Sequence, residues 1–115
     1  MPTPTLKKNY YLIHALDLPN AQRAKHNAEH MAYWGPLMQS GGPIVAAGGF
    51  LPQTVQSSDA DAVAKVEGSF LLIQADKAEQ AWETLKRDVF WTSGEVLDHE
   101  KATLTPVFVG VPQVE

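Results

Sequence analysis

Four stretches of the chain are short, apolar and closed off by proline, aspartate or glycine, and none alternates strictly between apolar and polar residues. Asn9 to Leu16, Ile44 to Leu51 and Val66 to Ala75 each suit a strand buried on both faces. Glu95 to Val109 reads as a longer fourth strand, with Pro106 placing it at a sheet edge or bulge. Between the first two runs, Ala24, Ala28, Met31, Gly35 and Met38 recur at spacings that only a helix aligns, so a helix is expected from Asn20 to about Ser40. Asn20 is its expected cap, Gly41-Gly42 its stop, and Pro36 predicts a kink near Tyr33 to Gly35. Pro52 to Ala64 reads as a surface loop. A second helix opens at Asp76, with Glu79 forming a capping-box-like pair and Ala78, Ala81, Trp82 and Leu85 as its apolar stripe, before a short Phe90 to Gly94 segment.

The order strand, helix, strand, strand, helix, strand predicts an α+β, ferredoxin-like βαββαβ fold with a four-stranded antiparallel sheet. Two helices cover only one face of such a sheet. Strands apolar on both faces therefore need a second cover, and another copy of the chain is the simplest one, which predicts a homodimer packed sheet to sheet.

At 115 residues the chain fits a single domain, residues 1–115, of which residues 1–8 are expected to be a flexible tail. Lys plus Arg number 9 against 13 Asp plus Glu, and without a basic run no nucleic-acid partner is expected. The absence of cysteine removes thiol catalysis and Cys-bound metals. No apolar segment long enough for a signal or a membrane span occurs, so a cytoplasmic protein with no membrane partner is expected. Gly41-Gly42 and Gly48-Gly49 lack the spacing of nucleotide-binding loops.

Several short patterns occur together: Glu29-His30-Met31-Ala32-Tyr33, Gly41-Gly42, Ala47-Gly48-Gly49, Gly68-Ser69, Glu79-Gln80-Ala81-Trp82, and Asp88-Val89-Phe90 leading to Gly94 and Pro106. In order and spacing the chain resembles the YciI-like, or YCII-related, proteins, small relatives of muconolactone isomerase that form dimeric α/β barrels. The resemblance implies that the helix-one histidine, His30, and the aspartate of an Asp-Pro-aromatic motif, Asp88, form an active-site pair. Val89 and Gly49 depart from it, standing where the family mostly has proline.

The residues themselves allow more than one role. His30 sits at the border of the helix stripe, with Trp34 and Leu37 one and two turns on, a place where it could serve as a general base or as a half-buried structural histidine. Asp88 continues the Ala81–Leu85 stripe near a helix C-terminus, where the macrodipole disfavours negative charge by about 0.3 to 1 kcal/mol. It could orient His30, or simply cap the turn Phe90-Trp91-Thr92. Trp34, Phe50 and Phe90 are candidate pocket walls, and His14 either lines the same cleft or is satisfied in the core. His26-Asn27-Ala28-Glu29-His30 matches an inverted zincin motif, yet so short a chain builds no peptidase cleft around it, and no metal is expected. Asp98-His99-Glu100 reads as a solvated strand start.

The expected function is cofactor-free proton transfer by His30 and Asp88 on a small cyclic or aromatic molecule, of isomerase or lyase type. Two alternatives stay open: a non-catalytic module that binds or assists with such a molecule, and a cofactor-independent oxygenase.

Overall fold

Seven-residue strands fix the frame of the computed structural model, which describes residues 9–39 and 42–110. In chain order the elements are β1 (Tyr10–Leu16), α1 (Arg23–Leu37), β2 (Ile44–Phe50), β3 (Gly68–Gln74), α2 (Ala78–Lys86), α3 (Val89–Thr92) and β4 (Thr103–Val107). They form the expected α+β, ferredoxin-like arrangement: an antiparallel four-stranded sheet in the order β2-β3-β1-β4. The expected tail at residues 1–8 and Gly41 of the helix stop lie outside the described residues.

Register sorts the side chains between the two faces. Ile13 pairs with Leu71 and with Leu104, and Tyr11 with Ile73, so odd positions of β1 and β3 point the same way. There they meet Trp34, Ala81, Leu85 and Phe90 in one buried core. On the opposite face Leu12 is 38 % exposed and His14 lies open, although Leu12 pairs with Leu72 and His14 with Phe70. The apolar character of the outer face is thus present in the strands and uncovered in the single chain.

Three expectations need correction. Asn20 does not cap α1: it takes a left-handed backbone in the preceding turn, and the helix starts only after Gln22, which makes no side-chain capping bond. Pro36 falls in the last turn of α1, which runs on through it to Leu37. At α2 the residue reaching back is Gln80, not Glu79: its Oε1 accepts from the Asp76 and Lys77 amides at 2.9 and 3.2 Å. Finally, β4 begins at Thr103 rather than Glu95. Val96 and Leu97, whose apolarity suggested a strand, are buried plugs instead. The loop that carries them is tied down by Leu18 N to Val96 O (2.8 Å) and Asp98 N to Leu16 O (2.9 Å).

Asp98, His99 and Glu100 consequently sit in a turn before β4, not at a strand start. Pro106 does lie on an edge strand, since β4 pairs with β1 alone. Among the described residues no helix is long and apolar enough to cross a membrane.

Candidate active site

Helix α1 carries Arg23, Asn27, His30 and Trp34 four, three and four residues apart, so they share one face. That face forms one wall of a cleft of about 1030 Å³, whose other wall comes from the sheet at Ala47, Gly49, Ser69 and Leu71. Gly49 keeps this wall flat: a Cβ there would lie 2.6 Å from Cγ1 of Val66. The strand therefore contributes no side chain at that point.

Asp88 lies beneath His30 and is only 1 % exposed. A buried carboxylate is tolerable when donors surround it, and three do. Its Oδ1 accepts from the Phe90 amide at 3.1 Å, which makes it the N-cap of α3. Its Oδ2 accepts from the Trp34 indole Nε1 at 2.8 Å and lies 2.8 Å from Nδ1 of His30. Because an ionised carboxylate can only accept, Nδ1 is the donor, and the lone pair of the neutral ring is assigned to Nε2. Phe90 stacks on the imidazole at 3.7 Å and 8°, and Trp34 meets it edge-on at 6.4 Å. His30 is thus fixed by a carboxylate at one nitrogen and by aromatic rings around it. Among the described residues no hydrogen bond engages its Nε2, and the residue lines the cleft.

A second polar group shares the wall. Arg23 binds Asp17 with Nε and Nη2, the latter bond 2.7 Å long. Nη2 also donates to Ser69 Oγ at 3.0 Å, and the guanidinium carbon stands 5.1 Å from the Phe90 ring centre. Behind the cleft, Tyr33 donates to the Thr84 carbonyl at 2.6 Å. Burial pushes its phenol above the usual value, the nearby Arg87 opposes that rise, and the Asp88 charge adds to it.

Of the residues singled out from sequence, the structure brings His30, Asp88, Trp34 and Phe90 together. His14 and Phe50 require correction, because neither lines this cleft. Their rings meet at 4.2 Å, tilted by 47°, on the opposite sheet face, as the two-residue strand period dictates, and His14 is exposed rather than satisfied in the core. In the zincin-like pattern His26 turns to Glu95 at 2.9 Å and His30 to Asp88, so the two histidines serve different acids. Among the described residues no group of three His, Asp or Glu side chains could hold a metal ion. Arg23 escaped notice, although its place seven residues before His30 on the same helix face was readable. Ser69 carried no local signal, since it reaches Arg23 from 46 residues away.

The same fold occurs in 5-chloro-2-hydroxyhydroquinone dehydrochlorinase (TftG) from Burkholderia phenoliruptrix AC1100, solved in complex with 2,5-dihydroxybenzoquinone. The similarity has a TM-score of 0.70 at 23 % identity and covers 88 % of this chain and 95 % of that one. No curated protein sequence matches the chain. The family model of the YCII-related domain matches residues 9–100, and the chain belongs to that family.

Proposed function

We propose that the protein is a cofactor-free enzyme of small-molecule metabolism that transfers a proton on a cyclic or aromatic substrate, with elimination as the favoured reaction class. The observation that carries this is the buried Asp88 carboxylate on Nδ1 of an imidazole that lines an open cleft. Such a carboxylate fixes the tautomer and stabilises the imidazolium that forms when Nε2 takes a proton. The similarity to a dehydrochlorinase supports the choice of elimination over isomerisation. In that step the ring reacts as a keto tautomer that carries the leaving group on a tetrahedral carbon, and Nε2 of His30 removes the proton of a ring hydroxyl conjugated to that carbon through a ring double bond. The oxygen's electron pair forms a carbonyl, the ring double bond shifts by one position, and the leaving group departs with its own bonding pair, which leaves a quinone. The proton then passes from His30 to water, restoring the base.

The test is halide release from 5-chloro-2-hydroxyhydroquinone and related halogenated hydroquinones. Turnover is expected, with His30→Ala lowering kcat/KM by about a hundredfold or more. Undiminished turnover in His30→Ala would discard the proton-transfer role. Oxygen uptake in place of halide release would instead assign ring oxidation.

We infer further that the working unit is a pair of chains joined through the outer sheet face. Support comes from the apolar residues that this face leaves in water, Leu12 above all.

A further inference from the structure

We propose that Arg23 anchors the substrate, its Nη1 amino group binding a negatively charged ring oxygen, an enolate or phenolate, while His30 acts on the same ring. The inference deepens the proposed proton-transfer function and rests on it.

Three observations place Arg23 in this role. First, it is locked. Asp17 holds Nε and Nη2, and Ser69 holds Nη2 again, so the guanidinium plane is fixed before any ligand arrives. Among the described residues no hydrogen bond engages Nη1, and Arg23 lines the cleft. A purely structural link between the end of β1 and the start of α1 would need only the fork to Asp17.

Second, Arg23 and His30 share a spacer. The Phe90 ring stacks on His30 and also lies beneath the guanidinium, which sets the separation of the two groups. Seven residues of helix place their backbones about 10 Å apart along α1, and the long arginine side chain shortens that reach. Third, the opposite wall is flat and small at Ala47, Gly49 and Ser69, which suits a planar ring laid along the helix. Of the three acids that line the cleft, Asp17 is paired with Arg23, Asp88 is enclosed by its three donors, and Glu67 is exposed at its margin, where water and salt screen its charge. Charge that spreads onto a ring oxygen as His30 removes a proton would gain most from a fixed guanidinium donor.

Calorimetric titration of the full chain tests this with two ring probes: 2,5-dihydroxybenzoquinone, which carries charged oxygens at neutral pH, and 1,4-dimethoxybenzene, which is neutral. The wild type is expected to bind the charged ring at least tenfold more tightly than the neutral one. Arg23→Gln should lose at least tenfold in affinity for the charged ring and nothing for the neutral ring. Arg23→Lys retains a cation for Asp17 and guards against misfolding, and it should show the same selective loss. Wild-type affinity for 2,5-dihydroxybenzoquinone in both variants overturns the anchor while leaving the His30 reading intact. An equal loss for both rings also overturns it, since Arg23 would then only shape the cleft. Failure of the wild type to bind either ring removes the reading of the cleft and the anchor with it.

Discussion

Asp88 is bonded by a histidine, an indole and a backbone amide at once, and substitutions there separate according to which bonds they keep. Asp88→Ala removes every acceptor and strands the Trp34 indole and the Phe90 amide, so a loss of about 2 to 4 kcal/mol is expected by urea denaturation. Asp88→Asn keeps an acceptor for the α3 cap but loses the charge. It should cost less than the alanine variant in stability, yet lower kcat/KM by about a hundredfold or more. If the two variants lose stability and activity in the same proportion, the separation of roles fails. His30 and Asp88 were singled out by the resemblance to the YCII-related motifs, and their places beside apolar stripes agreed with it without excluding structural roles. The capping and the orienting of His30 were posed as rival roles for Asp88, and the structure has the carboxylate bonded to both groups. The indole of Trp34 as a third donor was invisible, since it joins the aspartate across 54 residues of sequence.

The segment between α3 and β4 depends on Glu95, which binds His26 at 2.9 Å and Lys25 at 3.0 and 3.2 Å. Hydrogen bonding from His26, then from Lys25, holds its carboxyl below the usual value of 4.5. An acid held lower in the folded state stabilises fully above its unfolded value, and that contribution fades as pH falls through the folded value. Opening of the start of α1 should therefore increase below about pH 4.5, read as lower protection of the His26 and Asn27 amides against exchange, relative to the intrinsic rate at each pH. Glu95→Gln should flatten that dependence. On α2, Gln80→Ala removes the acceptor for two amides and should cost about 0.5 to 2 kcal/mol in thermal denaturation. That α2 exists was readable from its stripe, but not which side chain turns back, because Glu79 and Gln80 are chemically near-equal candidates. The long fourth strand was misread for a different reason. Val96 and Leu97 have the composition of a strand, and only their packing against the end of β1 shows them to be a plug.

For the molecule as a whole, the sheet is the informative layer. Its inner face carries the core, while its outer face presents Leu12, His14, Phe50 and Phe70. Light-scattering chromatography should give the mass of two chains, and Leu12→Arg should shift it toward one, because burying an unpaired charge on that face is costly. A wild-type monomer at micromolar concentration would leave the outer face without a partner. The fold class followed from the order of periodicities alone, since few topologies accommodate two helices and four strands in so short a chain. The faces were harder to read, because the apolar runs of the strands hide the alternation that sends His14 and Phe50 away from His30.

The threefold bonding of Asp88 also bears on how this protein and its relatives descend. A lineage that lost its chemistry would still need this aspartate to start α3 and to seat the indole, so selection for folding alone would preserve it. His30 is one of the three donors to that buried carboxylate and stacks on Phe90, but its replacement leaves the indole and the α3 amide still bonded. On the proposed function, a relative that keeps the aspartate without the histidine would keep the start of α3 and lack the base.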